Sequence, residues 1–456
     1  MRRVTALRML LIPLWLLSIG ATPAGAGAAA AESDLSLAEA VALALQTHPA
    51  LAAADRLAEA AGASLDQARA GFLPRLELSE TVTRGDNPVY AFGSLLNQGR
   101  FTAADFALDR LNHPDAITNW RTNLGANLPL FAGGRTRLGV EQAQLAHQAA
   151  RTGRARTAQE VRFGVIRAYA TALLSQEAQA TVESAVRTAE ANLAAAEARQ
   201  EAGMVVASDP LAARVRLSRL QQERLAASHQ VALSQATLSE AMGLSPGRTH
   251  RLAGSLELPP ARGEGLEELE GLARQHRPDL AQMTLEERRL AKEIQRAKGS
   301  FLPTLHLMGN YEINNHSVAV DGQDSWTVGV GLNWNLFNGG GDQARLAEAK
   351  AHYYRMGALR ERLANAVSLE VREGFLALQT ARERVGVARQ AVSYATEALR
   401  IVRDRYEAGL TTIVELLDSE TALTAARTSL TRTIYDAVVG QARLDLSLGL
   451  PDPARN

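Results

Sequence analysis

Acidic residues follow two helix-start signals in this chain. Thr412-Ile413-Val414-Glu415 has the spacing of a capping box, in which Thr412 and Glu415 bond to each other's backbone N–H. Asp418 lies three residues after Glu415, on the same side of the helix. Ser208-Asp209-Pro210 is the second signal, with proline placed at the first helical position. Taken alone, Glu415 and Asp209 are predicted to be helix caps, each worth about 1 kcal/mol.

Other motifs give little support to catalysis. Gly243-Leu244-Ser245-Pro246-Gly247 matches the G-x-S-x-G pattern, but a nucleophile elbow follows a strand, and here a helical pattern precedes it. It therefore predicts a helix stop. The nine histidines show no ligand spacing, and Gly339-Gly340-Gly341 lacks the Lys-Ser/Thr of a phosphate loop. We expect no enzyme, no cofactor and no metal site.

The elements around these residues occur twice. His48-Pro49 precedes Phe72-Leu73-Pro74 as Arg277-Pro278 precedes Phe301-Leu302-Pro303. Leu130-Phe131-Ala132-Gly133-Gly134 corresponds to Leu336-Phe337-Asn338-Gly339-Gly340, about 206 residues later. This period exceeds the roughly 20 to 50 residues of solenoid repeats. It predicts a duplicated half-molecule, with a first repeat at 32–246, a linker at 247–265, a second repeat at 266–451 and a tail at 452–456.

The N-terminus predicts export. Arg2, Arg3 and Arg8 precede a short apolar run and a small-residue cleavage site, so residues 1–31 are predicted to be a signal peptide. The chain has no cysteine, so we expect no lipid on an N-terminal cysteine. Its 49 basic and 49 acidic residues give no reason to expect nucleic acid.

Long helices are predicted on either side of two β-hairpins. Leu37–Gly71, Arg135–Gln200 and Gly341–Ala408 have helical spacing, and the low aromatic content (5%) and Ala-rich stripes favour close helix packing. The hairpins are predicted at about 75–131 and 303–337. The first has the longer loop, at 85–119, which would be an external loop and a candidate plug.

The predicted strands alternate apolar and polar residues. In Trp326–Phe337, Trp326, Val328 and Val330 share one face, and Asn333 and Asn335 share the other. Strands of about ten residues with one apolar face fit a transmembrane β-barrel; a soluble sheet with one wet face is the alternative. Glu80 falls on an apolar face and does not fit. Four strands do not close a barrel, and open edges are not tolerated in lipid, so oligomerisation is predicted.

The chain resembles the outer-membrane efflux protein family, the TolC family. The resemblance rests on the duplicated plan, the paired Phe-Leu-Pro strand starts, the paired strand ends, and Tyr406-Glu407-Ala408-Gly409-Leu410 followed by Val414-Glu415-Leu416-Leu417-Asp418. It implies a mainly α fold with a membrane β-hairpin pair. It also implies a homotrimer in which a trimeric α-barrel across the periplasm continues a shared 12-stranded β-barrel.

The resemblance also implies a periplasmic entrance at the helix turns. Glu415 and Asp418 match carboxylates that ring the pore, and Asp209 and Tyr406 match residues that hold the gate shut. The family's arginine five residues after the tyrosine is replaced by Thr411, which implies a differently built latch. The turns at Gly203, Met204, Val205, Gly409 and Leu410 are the expected docking points for a periplasmic adaptor.

The implied function is a passive exit duct of a tripartite efflux or type I secretion system. Its partners would be an inner-membrane pump, a periplasmic adaptor (membrane fusion) protein and outer-membrane lipid. We expect it in the cell outer membrane, with a periplasmic extension. A secreted coiled-coil structural protein and a periplasmic adaptor are the alternatives; the strands disfavour the first, and the absence of lipoyl-like modules disfavours the second. The exported substrate is left open.

Overall fold

The computed structural model of the protein describes residues 34–318 and 322–450. The predicted signal peptide (1–31) and tail (452–456) lie outside the described residues. The ten α-helices of the described part are α1 Leu37–Thr47, α2 Pro49–Ala70, α3 Pro88–Asn97, α4 Leu108–Asn112, α5 Arg135–Glu201, α6 Ser208–Ala241, α7 Leu266–His276, α8 Pro278–Lys298, α9 Gly341–Glu407 and α10 Ile413–Leu448. Its four strands are β1 Arg75–Gly85, β2 Ile117–Ala132, β3 Thr304–Asn315 and β4 Gln323–Asn333.

The prediction of one continuous helix over Leu37–Gly71 is wrong. His48 is extended (φ −68°, ψ 125°) and separates α1 from α2. Its backbone is extended because proline restricts the residue before it, and Pro49 then starts α2. The same break occurs at Arg277, before Pro278. In each repeat a proline therefore divides a short helix from a longer one.

The strands form one antiparallel sheet in the order β1-β2-β3-β4. Leu78, Leu124, Tyr311 and Trp326 stand in one cross-strand row, so the apolar faces of the two hairpins coincide. Among the described residues, no helix is both long and apolar enough to span a membrane.

Two details of the strand prediction need revision. The prediction that the last strand runs from Trp326 to Phe337 is wrong at its C-terminal end, because β3 begins at Thr304, the partner of Asn333, and beyond that point β4 has no neighbour. Trp334 instead donates from Nε1 to the Phe301 carbonyl at 3.1 Å. Glu80, the misfit on the apolar face, accepts a bond from the Thr122 hydroxyl at 2.5 Å across the sheet.

The long first hairpin loop is folded. It holds α3, α4 and a short 3₁₀ segment, and Phe101 packs edge-on against Phe92 and Phe106. Buried Gln98 donates from Nε2 to the carbonyls of Thr118 (2.9 Å) and Asn315 (3.2 Å). One amide thus joins this loop to the ends of both hairpins.

Four helices, α5, α6, α9 and α10, form a long layer. The α5 and α9 helices are 67 residues each, and both start after a left-handed glycine, Gly134 or Gly340. Toward the C-terminal ends of α5 and α9, α5 packs on α6 and α9 packs on α10. The α5 and α10 helices also pack on each other. The α6 and α9 helices therefore lie at the two edges of this layer.

Contacts between distant parts of the chain form a belt at the middle of the helices. Tyr169 donates from its hydroxyl to the carbonyls of Leu35 and Ala253. The Gln159 amide donates to the Gly449 carbonyl at 2.8 Å, and Arg156 donates to the Leu446 carbonyl at 3.3 Å. The end of α10 is thereby fixed to the middle of α5.

We expect Gly449→Ala and Gly243→Ala to lower the thermal midpoint of unfolding. Both glycines have left-handed backbone (φ 68° and 74°), and an added Cβ would lie 2.7 Å from the Cα of Arg277 or His48. Each substitution therefore adds backbone strain of about 1–2 kcal/mol and, in addition, a steric clash with backbone atoms, and both destabilise the folded state. Circular dichroism of purified protein in detergent measures the midpoint.

Gly254→Ala is the matched control. Gly254 has φ 89° but no atom near the position of an added Cβ, so it contributes strain alone. Equal midpoints for the Gly254 and Gly449 variants would show that the close approach at Arg277 does not matter.

Candidate functional site

The two helix turns at the tips of the helical layer, between α5 and α6 and between α9 and α10, have the same geometry. Gly203 ends α5 at φ 69° and Gly409 ends α9 at φ 76°. The next residues, Met204 and Leu410, donate from their backbone N–H to Arg199 and Arg405 carbonyls at 2.8 Å. This is a left-handed helix C-cap, which needs glycine. Met204 and Leu410 are then left exposed, at 75% and 70%.

The predicted capping box at the start of α10 is only half formed. The Thr412 hydroxyl accepts from the Glu415 N–H at 3.4 Å, as predicted. The Glu415 carboxylate, however, accepts a short hydrogen bond from the Thr411 hydroxyl rather than from the Thr412 N–H. Glu415 and Asp418 are both exposed, on one side of α10. The structure thus leaves both carboxylates accessible.

The predicted start of α6 is wrong in its detail. The helix begins at Ser208 after Ala207, which makes no side-chain cap, so Pro210 is the third helical residue and not the first. Proline is tolerated there because the first N–H groups of a helix have no partner. Asp209 is not the cap. It lies in the first turn, where the helix dipole stabilises a carboxylate. Its carboxylate accepts a hydrogen bond from the Ser208 hydroxyl at 3.4 Å.

Through its ring, Tyr406 joins the helix pair α5–α6 to the helix pair α9–α10. It packs on a cluster of Ala196, Ala213, Ile413 and Leu417, with the guanidinium carbon of Arg199 at 4.6 Å from the ring centre. Its hydroxyl is buried and has no hydrogen-bond partner among the described residues. Within one chain, Tyr406 is therefore not bonded to Asp209.

A second link between the pairs was missed by sequence reasoning. Asn192 on α5 donates from Nδ2 to both carboxylate oxygens of Glu420 on α10, at 3.0 and 2.9 Å. Arg403 on α9 lies 3.7 Å from the same carboxylate. The Glu420 side chain is only 11% exposed. A single asparagine in the Ala-rich stretch of α5 is the one signal that could have pointed to it.

The site has no arrangement typical of a metal centre. In the part of the chain that the structure describes, no three His, Asp or Glu residues are grouped to hold an ion. The tip carries exposed carboxylates and apolar turns, and two interhelical links lie next to it.

Comparison with known proteins assigns the class. The model of the family described as "Outer membrane efflux protein" matches residues 40–244 and 269–450, so the chain belongs to this family. The protein is an outer-membrane channel of the efflux and secretion class, with a periplasmic extension.

Characterised relatives and solved structures agree with this assignment. The alkaline protease secretion protein AprF of Pseudomonas aeruginosa is 25% identical over 399 residues, covering 85% of this chain and 78% of AprF. The outer membrane efflux protein BepC of Brucella suis is 21% identical, covering 84% and 81%. The structure of VceC from Vibrio cholerae has a TM-score of 0.75 at 21% identity, covering 91% of this chain and 96% of VceC. CusC has a TM-score of 0.78 at 17% identity, covering 91% and 92%.

Proposed function

We propose that three copies of the chain form one passive exit duct, and that this duct performs no catalytic step. In this proposal a shared twelve-stranded barrel lies in the outer membrane and a twelve-helix barrel crosses the periplasm. An inner-membrane pump and a periplasmic adaptor supply the substrate and the energy. The relatives include both secretion and efflux proteins, so the proposed duct serves efflux or type I secretion.

The unpaired edges of the sheet carry this proposal. Among the described residues, β1 and β4 each have a single neighbouring strand. Their apolar face is exposed, with Leu76, Leu78, Trp326 and Val330 each between 62% and 74% accessible. In lipid, the free N–H and C=O groups of an edge cost several kcal/mol each, so β4 of one copy must pair with β1 of the next.

The helical layer has matching free edges. On α6, an exposed seam runs through Leu211, Val215 and Leu225. On α9, Val387, Tyr394 and Ile401 are exposed at steps of seven residues. Such heptad spacing indicates a coiled-coil contact whose partner is absent from the described part of one chain.

The exposed residues of the two seams lie at matching distances from the helix turns at Gly203 and Gly409. Leu211 is eight residues above Gly203, and Ile401 is eight residues from Gly409. Leu225 and Val387 are each 22 residues from the same glycines. Since both helices rise about 1.5 Å per residue, the pairs meet level when α6 of one copy lies antiparallel to α9 of the next.

Paired cysteines test this contact in a chain that has none of its own. We expect Leu211→Cys with Ile401→Cys, treated with a short bismaleimide, to give covalent dimers and trimers on denaturing gels. Leu225→Cys with Val387→Cys should do the same. Leu211→Cys with Val387→Cys is the control, because these positions differ in height by 14 residues, or about 20 Å. A ladder in the control equal to that of the level pairs would refute the antiparallel seam.

The entrance of the proposed duct lies at the tips. Three copies place Glu415 and Asp418 around one axis, and Asp209 and Tyr406 are the proposed residues that help to hold this entrance shut. The Asn192–Glu420–Arg403 link and the Arg199–Tyr406 stack replace the latch that Thr411 does not provide. The turns at Gly203, Met204, Val205, Gly409 and Leu410 are the proposed docking points for the adaptor.

Reconstitution tests the duct as a whole. We expect purified protein in detergent to have the mass of three chains and to form ion-conducting pores in planar bilayers. A stable monomer, or a trimer that does not conduct, would contradict the proposal.

A further inference from the structure

The two free edges of the sheet carry opposite charges at the same end. Arg84 is the second-to-last residue of β1, and Asp324 is the second residue of β4. Because the strands are antiparallel, both residues lie at the end of the sheet that carries the folded loop. Side chains alternate between the two faces of a strand, so Arg84 shares the apolar face of Leu78, and Asp324 shares it with Trp326. The apolar face therefore has a cation at one edge and an anion at the other.

Neither group has a charged partner in the part of one chain that the structure describes. The Arg84 guanidinium donates to the Thr118 hydroxyl at 3.1 Å. The Asp324 carboxylate accepts from the Tyr311 hydroxyl at 3.2 Å. Both charged residues are exposed. Their charges are therefore compensated only by neutral hydroxyl groups until another strand adds to each edge.

The apolar face limits the registers in which a second copy can add. When β4 of one copy pairs with β1 of the next, the face of Trp326 must continue into the face of Leu78. A slip of one residue would turn the apolar side chains of the added strand toward the lumen. The allowed registers therefore differ by steps of two residues.

The lengths of the two edge strands favour one of these registers. Both β1 and β4 have 11 residues. All of them pair when Arg75 lies opposite Asn333 of the next copy and Gly85 lies opposite Gln323. A slip of two residues in either direction leaves backbone groups of both strands without partners, which costs several kcal/mol for each group in lipid. In the fully paired register Arg84 lies directly opposite Asp324 of the next copy.

The tilt of the strands supports the same register. The cross-strand row that starts at Leu78 ends at Trp326, and in this register Trp326 faces Val82 of the next copy, four residues further along β1. Three copies advance the row by twelve residues around twelve strands. With a rise of about 3.4 Å per residue and a strand spacing of about 4.8 Å, the strands tilt by about 35°. Slips of two residues would give about 20° or about 47°, outside the roughly 35–45° of transmembrane barrels.

We propose that the copies join in this register, and that Arg84 of one copy forms an ion pair with Asp324 of the next on the outer surface of the barrel. The inference rests on the proposed function, because it requires three copies around one barrel. A slip of two residues one way places Arg84 opposite Trp326, and a slip the other way places it beyond the end of β4. The ion pair therefore forms in one allowed register alone and selects it.

Paired cysteines report the register in the full-length protein, which has no cysteine of its own. Thr327→Cys on β4 is combined in turn with Ser79→Cys, Thr81→Cys or Thr83→Cys on β1. In the proposed register Thr81 lies opposite Thr327 of the next copy, with Cβ atoms about 5 Å apart, whereas the other two positions are diagonal at about 7–8 Å. We expect copper phenanthroline to link the Thr81 pair into dimers and trimers at least about tenfold faster, since a disulfide needs Cβ atoms about 4 Å apart. Fastest linking through Ser79 or Thr83 would overturn the register.

Charge exchange tests the ion pair. Arg84→Asp places two carboxylates opposite each other, so detergent-solubilised trimers should dissociate about tenfold faster on heating, and Asp324→Arg should act in the same way. Arg84→Asp with Asp324→Arg restores opposite charges and should return the rate to within about twofold of the original. Failure of the exchange to restore the rate would refute the pair.

A second exchange is the matched control. Arg84→Asp with Asp109→Arg has the same net charge, but Asp109 lies on α4, outside the strands, with its side chain 94% exposed. Fast dissociation should therefore remain in this variant. Equal recovery in both exchange variants would show a general charge effect and overturn the proposal.

Conductance separates this proposal from the duct on which it depends. Trimers that conduct normally but link fastest through Ser79 or Thr83 refute the register and leave the duct intact. A protein that neither trimerises nor conducts refutes the proposed function, and the register with it.

Discussion

Replacing Asp418 with alanine should reduce the cation selectivity of the closed duct, and adding Glu415→Ala should remove its block by trivalent cations. In the proposed trimer these residues place six carboxylates around one narrow opening. Carboxylates at close range attract cations and hold multivalent ones as a plug. We expect the reversal potential under a salt gradient in planar bilayers to move toward zero. The half-blocking concentration of a trivalent cation on the periplasmic side should rise at least about tenfold, since several charge-assisted contacts are lost.

The structure supplies a control for this effect. Glu201 also carries an exposed carboxylate at the tips. It is the last residue of α5, however, whereas Glu415 and Asp418 lie at the start of α10. Glu201→Ala should leave selectivity and block unchanged. The Glu415 side chain does not cap α10, so its removal should not unfold the helix. Unchanged selectivity in an intact Asp418→Ala trimer would mean that these acids are surface residues.

Glu420→Ala should raise the resting conductance of the duct. The Glu420 carboxylate joins α5 through Asn192 and α9 through Arg403. Losing hydrogen bonds to such a carboxylate costs about 1.5–3 kcal/mol, which shifts a closed–open equilibrium about ten- to hundredfold. Asn192→Ala should act in the same direction, with a smaller effect because the Arg403 contact remains. Single-channel recording measures both.

An exposed ion pair provides the matched control. Glu397 also accepts from an arginine, Arg400, but its side chain is 57% exposed and both residues lie on α9. Glu397→Ala should therefore leave the resting conductance at its original value. An equal rise in this variant would indicate a general loosening of α9, and no rise in Glu420→Ala would show that the helix pairs are held by packing alone.

Local patterns predicted most of the fold. Strand alternation located the sheet because side chains on a strand point to opposite faces, and the row of Leu78, Leu124, Tyr311 and Trp326 has the predicted apolar face. The glycines at the two tips marked the helix ends because only glycine adopts left-handed backbone freely. The end of β4 at Asn333 was missed because it depends on where β3 begins, which β4's own sequence does not contain.

The candidate site was less predictable from the sequence. Its exposed members, Glu415 and Asp418, follow a recognisable helix start. The link from Asn192 to Glu420 crosses 228 residues of chain, and no local spacing reveals which faces of α5 and α10 meet. The folded loop around Gln98 was equally hidden, because its anchor on Asn315 is a tertiary contact.

The belt at Gln159 has a consequence for biogenesis. Its amide bonds to the Gly449 carbonyl, 290 residues later, so α5 remains without this anchor until the last turn of α10 has been exported. Closing so long a loop is slow and entropically costly. We therefore expect a chain that lacks α10 to remain incompletely folded around α5. We expect such a truncated product to be degraded rather than inserted as a leaking pore.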